Sequence, residues 1–130
     1  MTAGMKPKPH LAEGKYYFAT VDESQLMNLA NYLGGIVAIF REDEELTAVV
    51  SEDIKDDIAG LSDKGLKGPF ALIRLGAQTD LYAVDILAKI IQALSKEKIA
   101  VNAFSAYYHD HLFVPYEKKE EALRILGKLG

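Results

Sequence analysis

With 130 residues, 49 % of them apolar and 26 % charged, the chain has room for one compact domain or two small halves around a shared core. Its formal net charge of −4 and its scattered lysines argue against a nucleic-acid-binding face. The absence of cysteine excludes disulfides, thiolate chemistry and cysteine-based zinc sites. No apolar run approaches a membrane span, and "MTAGMKPKPH" lacks the apolar core of a secretory leader. The expected location is therefore cytoplasmic, without a membrane partner.

The predicted elements follow in chain order. "KYYFATVD" (Lys15–Asp22) is aromatic and β-branched and reads as a strand. Asp22 is placed to cap the next helix, with Gln25 at the capping-box position. In "ESQLMNLANYL", Leu26, Leu29, Ala30 and Leu33 recur at helical spacing, and Gly34–Gly35 ends the helix. "IVAIF" (Ile36–Phe40) reads as a short buried strand, "REDEE" as a solvated turn and "LTAVV" (Leu46–Val50) as the returning strand. "SEDIKDDIAGL" predicts a short helix, and Ser62–Gly68 a linker.

The second half opens with a strand over Phe70–Gly76 and the loop "AQTD". The strongest helix follows, "LYAVDILAKIIQALSKEK", with a predicted apolar stripe of Leu81, Val84, Leu87, Ala88, Ile91 and Leu94. "IAVNAFSAYY" predicts a strand, "HDH" a turn, "LFVP" the partner strand, and "EKKEEALRILGKL" a closing amphipathic helix with Glu120 and Arg124 paired four apart. Each half thus runs strand, helix, strand, turn, strand, helix. This order suits a ferredoxin-like α+β fold, with helices on one face of an antiparallel sheet.

"FALIRLG…DLYAVDILAKIIQALSKEKIAVNAFSAYYHDHLFVP…EEALRIL" resembles the C-terminal half of small tandem ACT-domain proteins, a bacterial family related to the ACT repeats of amino-acid sensors. "YYFATVD" and "IVAIFREDEELTAVV" resemble their shorter N-terminal repeat. The resemblance implies two ACT-like repeats side by side, residues 10–68 and 69–130, that bind a small molecule, by expectation an amino acid. It implies a regulatory role, no catalytic activity and no cofactor, and it is compatible with a homodimer. In related sensors the ligand sits at the first strand-to-helix loop. Carried onto this chain, that loop is Gly76–Asp85, and the candidate ligand-binding residues are Gln78, Thr79, Asp80, Val84, Asp85 and Ile86. Asp85 departs from the glycine the family carries before the position of Ile86. It would either fill the pocket or attract an ammonium group.

Two other readings remain at this stage. One is a structural or protein-interaction module with a vestigial pocket. The other is a small metal-dependent enzyme using His109 and His111, which would share a face if the strand ran through "HDH". A polar hairpin turn is the favoured reading of that segment, because a single His-x-His is a weak motif. A Ser105–His109–Asp110 combination is crowded into the same hairpin.

Overall fold

The computed structural model describes residues 8–76 and 86–129. The chain forms two compact units. One is Gly14–Pro69; the other combines Phe70–Gly130 with the N-terminal stretch ending at Glu13. In chain order the elements are β1 (Pro9–Leu11), β2 (Tyr16–Asp22), α1 (Leu26–Ala30), β3 (Ile36–Glu42), β4 (Glu45–Ser51), α2 (Lys55–Ala59), β5 (Leu66–Leu75), α3 (Ile86–Lys96), β6 (Asn102–Ser105), β7 (Asp110–Pro115) and α4 (Lys119–Gly127). The fold is α+β with antiparallel pairing, as the residue pattern predicts.

In the Gly14–Pro69 unit, β4 lies between β2 and β3. Alternate residues Ala19, Val21, Leu46, Ala48 and Val50 meet Leu29 of α1 and Ile58 of α2 in a closed core. Leu66 from the start of β5 packs against it. Asp22 does cap the first turn, accepting from the Ser24 amide at 2.9 Å; the Ser24 side chain first and its amide second hold the Asp22 carboxyl below the ordinary carboxylate range. Gln25 does not complete the box; its Oε1 accepts from Asn28 at 2.7 Å instead.

Two expectations for this unit are corrected. The helix stops at Ala30 and becomes a 3-10 turn over Leu33–Gly35, so only Leu29 of the expected stripe is buried, with Tyr32 packed beside it. Leu26, Met27 and Leu33 stay exposed. The segment is too short to turn a full apolar stripe inward. β3 is not buried either: it pairs with β4 alone among the described strands, and Ile39 and Phe40 are exposed. A central strand gains neighbours on both sides, and this one stands at the end of the strand order.

The other unit has the strand order β1-β5-β7-β6. Its continuous part runs β5, α3, β6, β7, α4, and β1, from the chain's N-terminal region, supplies the fourth strand. Pro9, His10 and Leu11 pair with Leu75, Arg74 and Ile73, and the Gly76 and Ala12 amides extend the ladder to Lys8 and Leu72 carbonyls at 2.6 and 2.9 Å. Ala71, Ile73, Leu75, Leu112 and Val114 face one way and bury Ile90 and Leu94 of α3 and Ala122 and Leu126 of α4. α3 ends in a Schellman-type cap: Lys98 adopts φ +61°, the Ile99 amide donates to the Leu94 carbonyl at 3.0 Å, and both apolar side chains are buried.

The buried face of α3 is turned from the expected stripe. Leu81 and Val84 lie outside the described residues. Ile90 and Leu94 are buried and Ile86 and Leu87 packed at the core edge, whereas Ala88 is exposed and Ile91 is 37 % exposed. The helix carries more apolar residues than one face can bury, and contact with the sheet selects the 86–90–94 line. β5 begins at Leu66 and shortens the expected linker. β6 is shorter than its predicted strand. On α4, Arg124 reaches Glu121 at 3.9 Å, not Glu120. No helix among the described residues is long and apolar enough to cross a membrane.

Candidate functional site

The ligand loop expected from the sequence leaves β5 at Gly76. That residue's amide is held by the Lys8 carbonyl at 2.6 Å, and a Cβ placed there would lie 3.1 Å from the same oxygen. Backbone therefore passes close to backbone where the loop departs, which favours glycine. The chain is described again at Ile86, the first residue of α3, which packs against the core. Gln78, Thr79, Asp80, Val84 and Asp85 lie outside the described residues. The two ends of the loop are thus anchored by buried apolar contacts, Leu75 before it and Ile90 after it.

The segment Ala106–Pro115 forms the turn and second strand of the β6–β7 hairpin. The Ala106 amide donates to the His109 carbonyl at 2.9 Å and closes the turn. His109 sits in that turn, while β7 starts at Asp110, earlier than the expected "LFVP". The two histidines therefore do not lie on one continuous strand. Asp110 is 3 % exposed, and its Oδ1 accepts from the Ser105 hydroxyl at 2.8 Å across the ladder. The hydroxyl meets the carboxylate directly with no imidazole between them, so this is a structural pair and not a nucleophile triad. Among the described residues no group of three or more histidine and acidic side chains is arranged to hold a metal ion.

Removing the hydroxyl leaves the buried carboxylate short of a donor. Ser105→Ala is expected to cost about 1–3 kcal/mol, measured as a lower urea midpoint with an unchanged denaturant slope. Tyr107 and Tyr108, at the hairpin tip, are 73 % and 60 % exposed and stack edge to face at 4.8 Å between ring centroids. One ring packing inward was expected; in the turn both project outward, because the strand alternation has already ended.

His111 stands in β7, opposite Arg74 of β5. Desolvation first, and the Arg74 charge second, hold its imidazole below the ordinary histidine pKa. Nothing in the sequence pattern marks this pairing, since the two residues belong to strands far apart along the chain.

A family model described as "ACT domain" matches residues 69–128. A crystal structure of a Vibrio cholerae protein of unknown function, described as a possible transport protein, is 36 % identical over 96 % of this chain and 90 % of that one, with a TM-score of 0.78. An Agrobacterium tumefaciens protein is 22 % identical over 94 % of this chain and 87 % of its own, with a TM-score of 0.72. The ligand-free regulatory subunit of aspartate kinase from Thermus thermophilus shares the fold at 13 % identity, a TM-score of 0.74 and coverage of 94 % and 95 %. No curated protein matches the chain.

Proposed function

The chain belongs to the ACT-domain family, and from that premise we propose that it is a regulatory protein that binds an amino acid and catalyses no reaction. The observation that carries the reading is the likeness in fold to the regulatory subunits of aspartate kinase, over nearly the full length of both chains. In this reading residues 10–68 and 69–130 are two ACT-like repeats. The shared strand and helix order of the two units supports a division into two repeats, while residues 10–13 lie with the C-terminal unit. Ligand would act by population shift, favouring one packing of the repeats or of a homodimer.

The ligand's place in this proposal is the Gly76–Asp85 loop, with Gln78, Thr79 and Asp80 nearest and Val84, Asp85 and Ile86 along its wall. A loop that opens into a helix brings amides without intrahelical partners, and these suit a carboxylate. Asp85 would pair with the ammonium group and favour zwitterionic or basic ligands over simple acids.

Calorimetric titration and thermal shift with a panel of amino acids test this. At a ligand concentration of a hundred times Kd the expected stabilisation is about 2.7 kcal/mol. Asp85→Gly is expected to weaken binding. Stronger binding by the variant would mean that Asp85 occludes the pocket, and binding by neither form would remove the sensor reading and leave an interaction module.

A further inference from the structure

The strand register of the C-terminal unit aligns His10 of β1, Arg74 of β5 and His111 of β7 in a single row across three neighbouring strands. Directly paired residues share a face, and here it is the face away from α3 and α4, because Ile73, Leu75 and Leu112 point into the helical core. Neighbouring strands lie about 4.8 Å apart, so each imidazole is one strand from the guanidinium. Phe104 continues the row on β6. The next row on this face holds Leu72 and Phe113, both 0 % exposed, with the Phe104 and Phe113 rings at 5.6 Å. A half-buried guanidinium therefore stands between two imidazoles and beside an apolar floor.

Placing like-charged or potentially like-charged groups directly opposite one another disfavours the sheet. The centre of this row is donor-only, since the guanidinium has no acceptor, and each flanking imidazole can donate a ring N–H as well. We propose that the His10–Arg74–His111 row is a second, separate binding site, centred on Arg74, for a small oxyanion of the carboxylate or phosphate type. The guanidinium supplies the forked pair of charge-assisted bonds such an anion accepts, and the imidazoles add donors on either side. The partly desolvated setting strengthens those bonds over their value in water.

Beside desolvation, the charge on Arg74 disfavours the His111 imidazolium. The other groups acting on His111 are His109, whose backbone hydrogen bond favours the imidazolium and whose charge, more weakly, disfavours it, and Asp110, whose charge favours it more weakly still. An anion on Arg74 would reverse the dominant charge effect and raise the His111 pKa. This site does not depend on the loop reading, and its test uses different residues and different probes.

The test follows the imidazole proton signals of the full-length protein by NMR. Inorganic phosphate and acetate are titrated separately at constant ionic strength, with chloride as the balancing salt. Saturable shifts at His10 and His111 and a raised His111 pKa are expected with at least one of the two, and the one that saturates identifies the anion class. Arg74→Gln is expected to weaken binding by about tenfold or more. His10→Gln, at an exposed position where folding is not at stake, is expected to weaken it severalfold. Shifts that chloride reproduces, or that persist unchanged in both variants, would overturn the proposal. Amino-acid binding at the loop would survive either variant.

Discussion

Leu94→Asp is expected to leave no folded C-terminal unit. Leu94 is fully buried on α3, within the core that joins α3 to β5, β7 and α4. Truncating such a leucine alone costs about 2–5 kcal/mol. An aspartate adds an unpaired carboxyl to an apolar interior, and together these are comparable with the whole stability of a small domain, about 5–15 kcal/mol. The expected readout is the loss of cooperative melting and of dispersed methyl signals from the unit. Leu87→Asp provides the contrast. Leu87 is only partly buried, so its carboxylate can reach water and the protein should remain folded with a lowered melting temperature. Equal collapse of both variants would show that the 86–90–94 line does not define the buried face.

Gly68→Ala is expected to destabilise the Gly14–Pro69 unit far more than Gly65→Ala. Both glycines have positive φ, +149° and +78°. A Cβ on Gly65 would meet nothing within 4 Å, so the cost there is conformational alone, roughly 1–2 kcal/mol. A Cβ on Gly68 would lie 2.8 Å from the Tyr16 carbonyl oxygen and 2.8 Å from the Tyr17 ring. The carbonyl belongs to β2, which is held by its ladder to β4, so it cannot simply move aside. The backbone conformation itself costs a side chain about 1–3 kcal/mol before any clash. Chemical denaturation of the two variants measures the difference, and a Gly68→Ala midpoint no lower than that of Gly65→Ala would refute the close approach.

Much of the local structure was legible because it rests on neighbours along the chain. The Asp22 cap and the Glu42–Glu45 hairpin each join residues a few positions apart. Periodicity identified the helix containing Ile90 and Leu94 but misjudged its rotation. An apolar pattern records which residues can be buried, and the sheet decides which are. The strand end at "AYYHDH" was missed for a related reason. Tyrosines have high strand propensity, yet here they form the turn between Ala106 and His109 and both stay exposed.

Of the candidate ligand residues, Ile86 is seen to open α3 and pack on the core, and the others fall outside the described residues. The sequence by itself determined the α+β class, the antiparallel order of strands and helices, the exclusion of cysteine chemistry and the family. Those properties follow from composition, local pattern and motif. Only the tertiary structure decided that the stretch around His10 completes the sheet of the C-terminal unit, and that His10, Arg74 and His111 form one row. The pairing of β1 with β5 joins segments separated by most of the N-terminal half of the chain. Its register is set by backbone hydrogen bonding and by Leu11 entering the core beside Ile73. Short-range periodicity carries no record of such a partner, because either strand could satisfy the same pattern against a different neighbour.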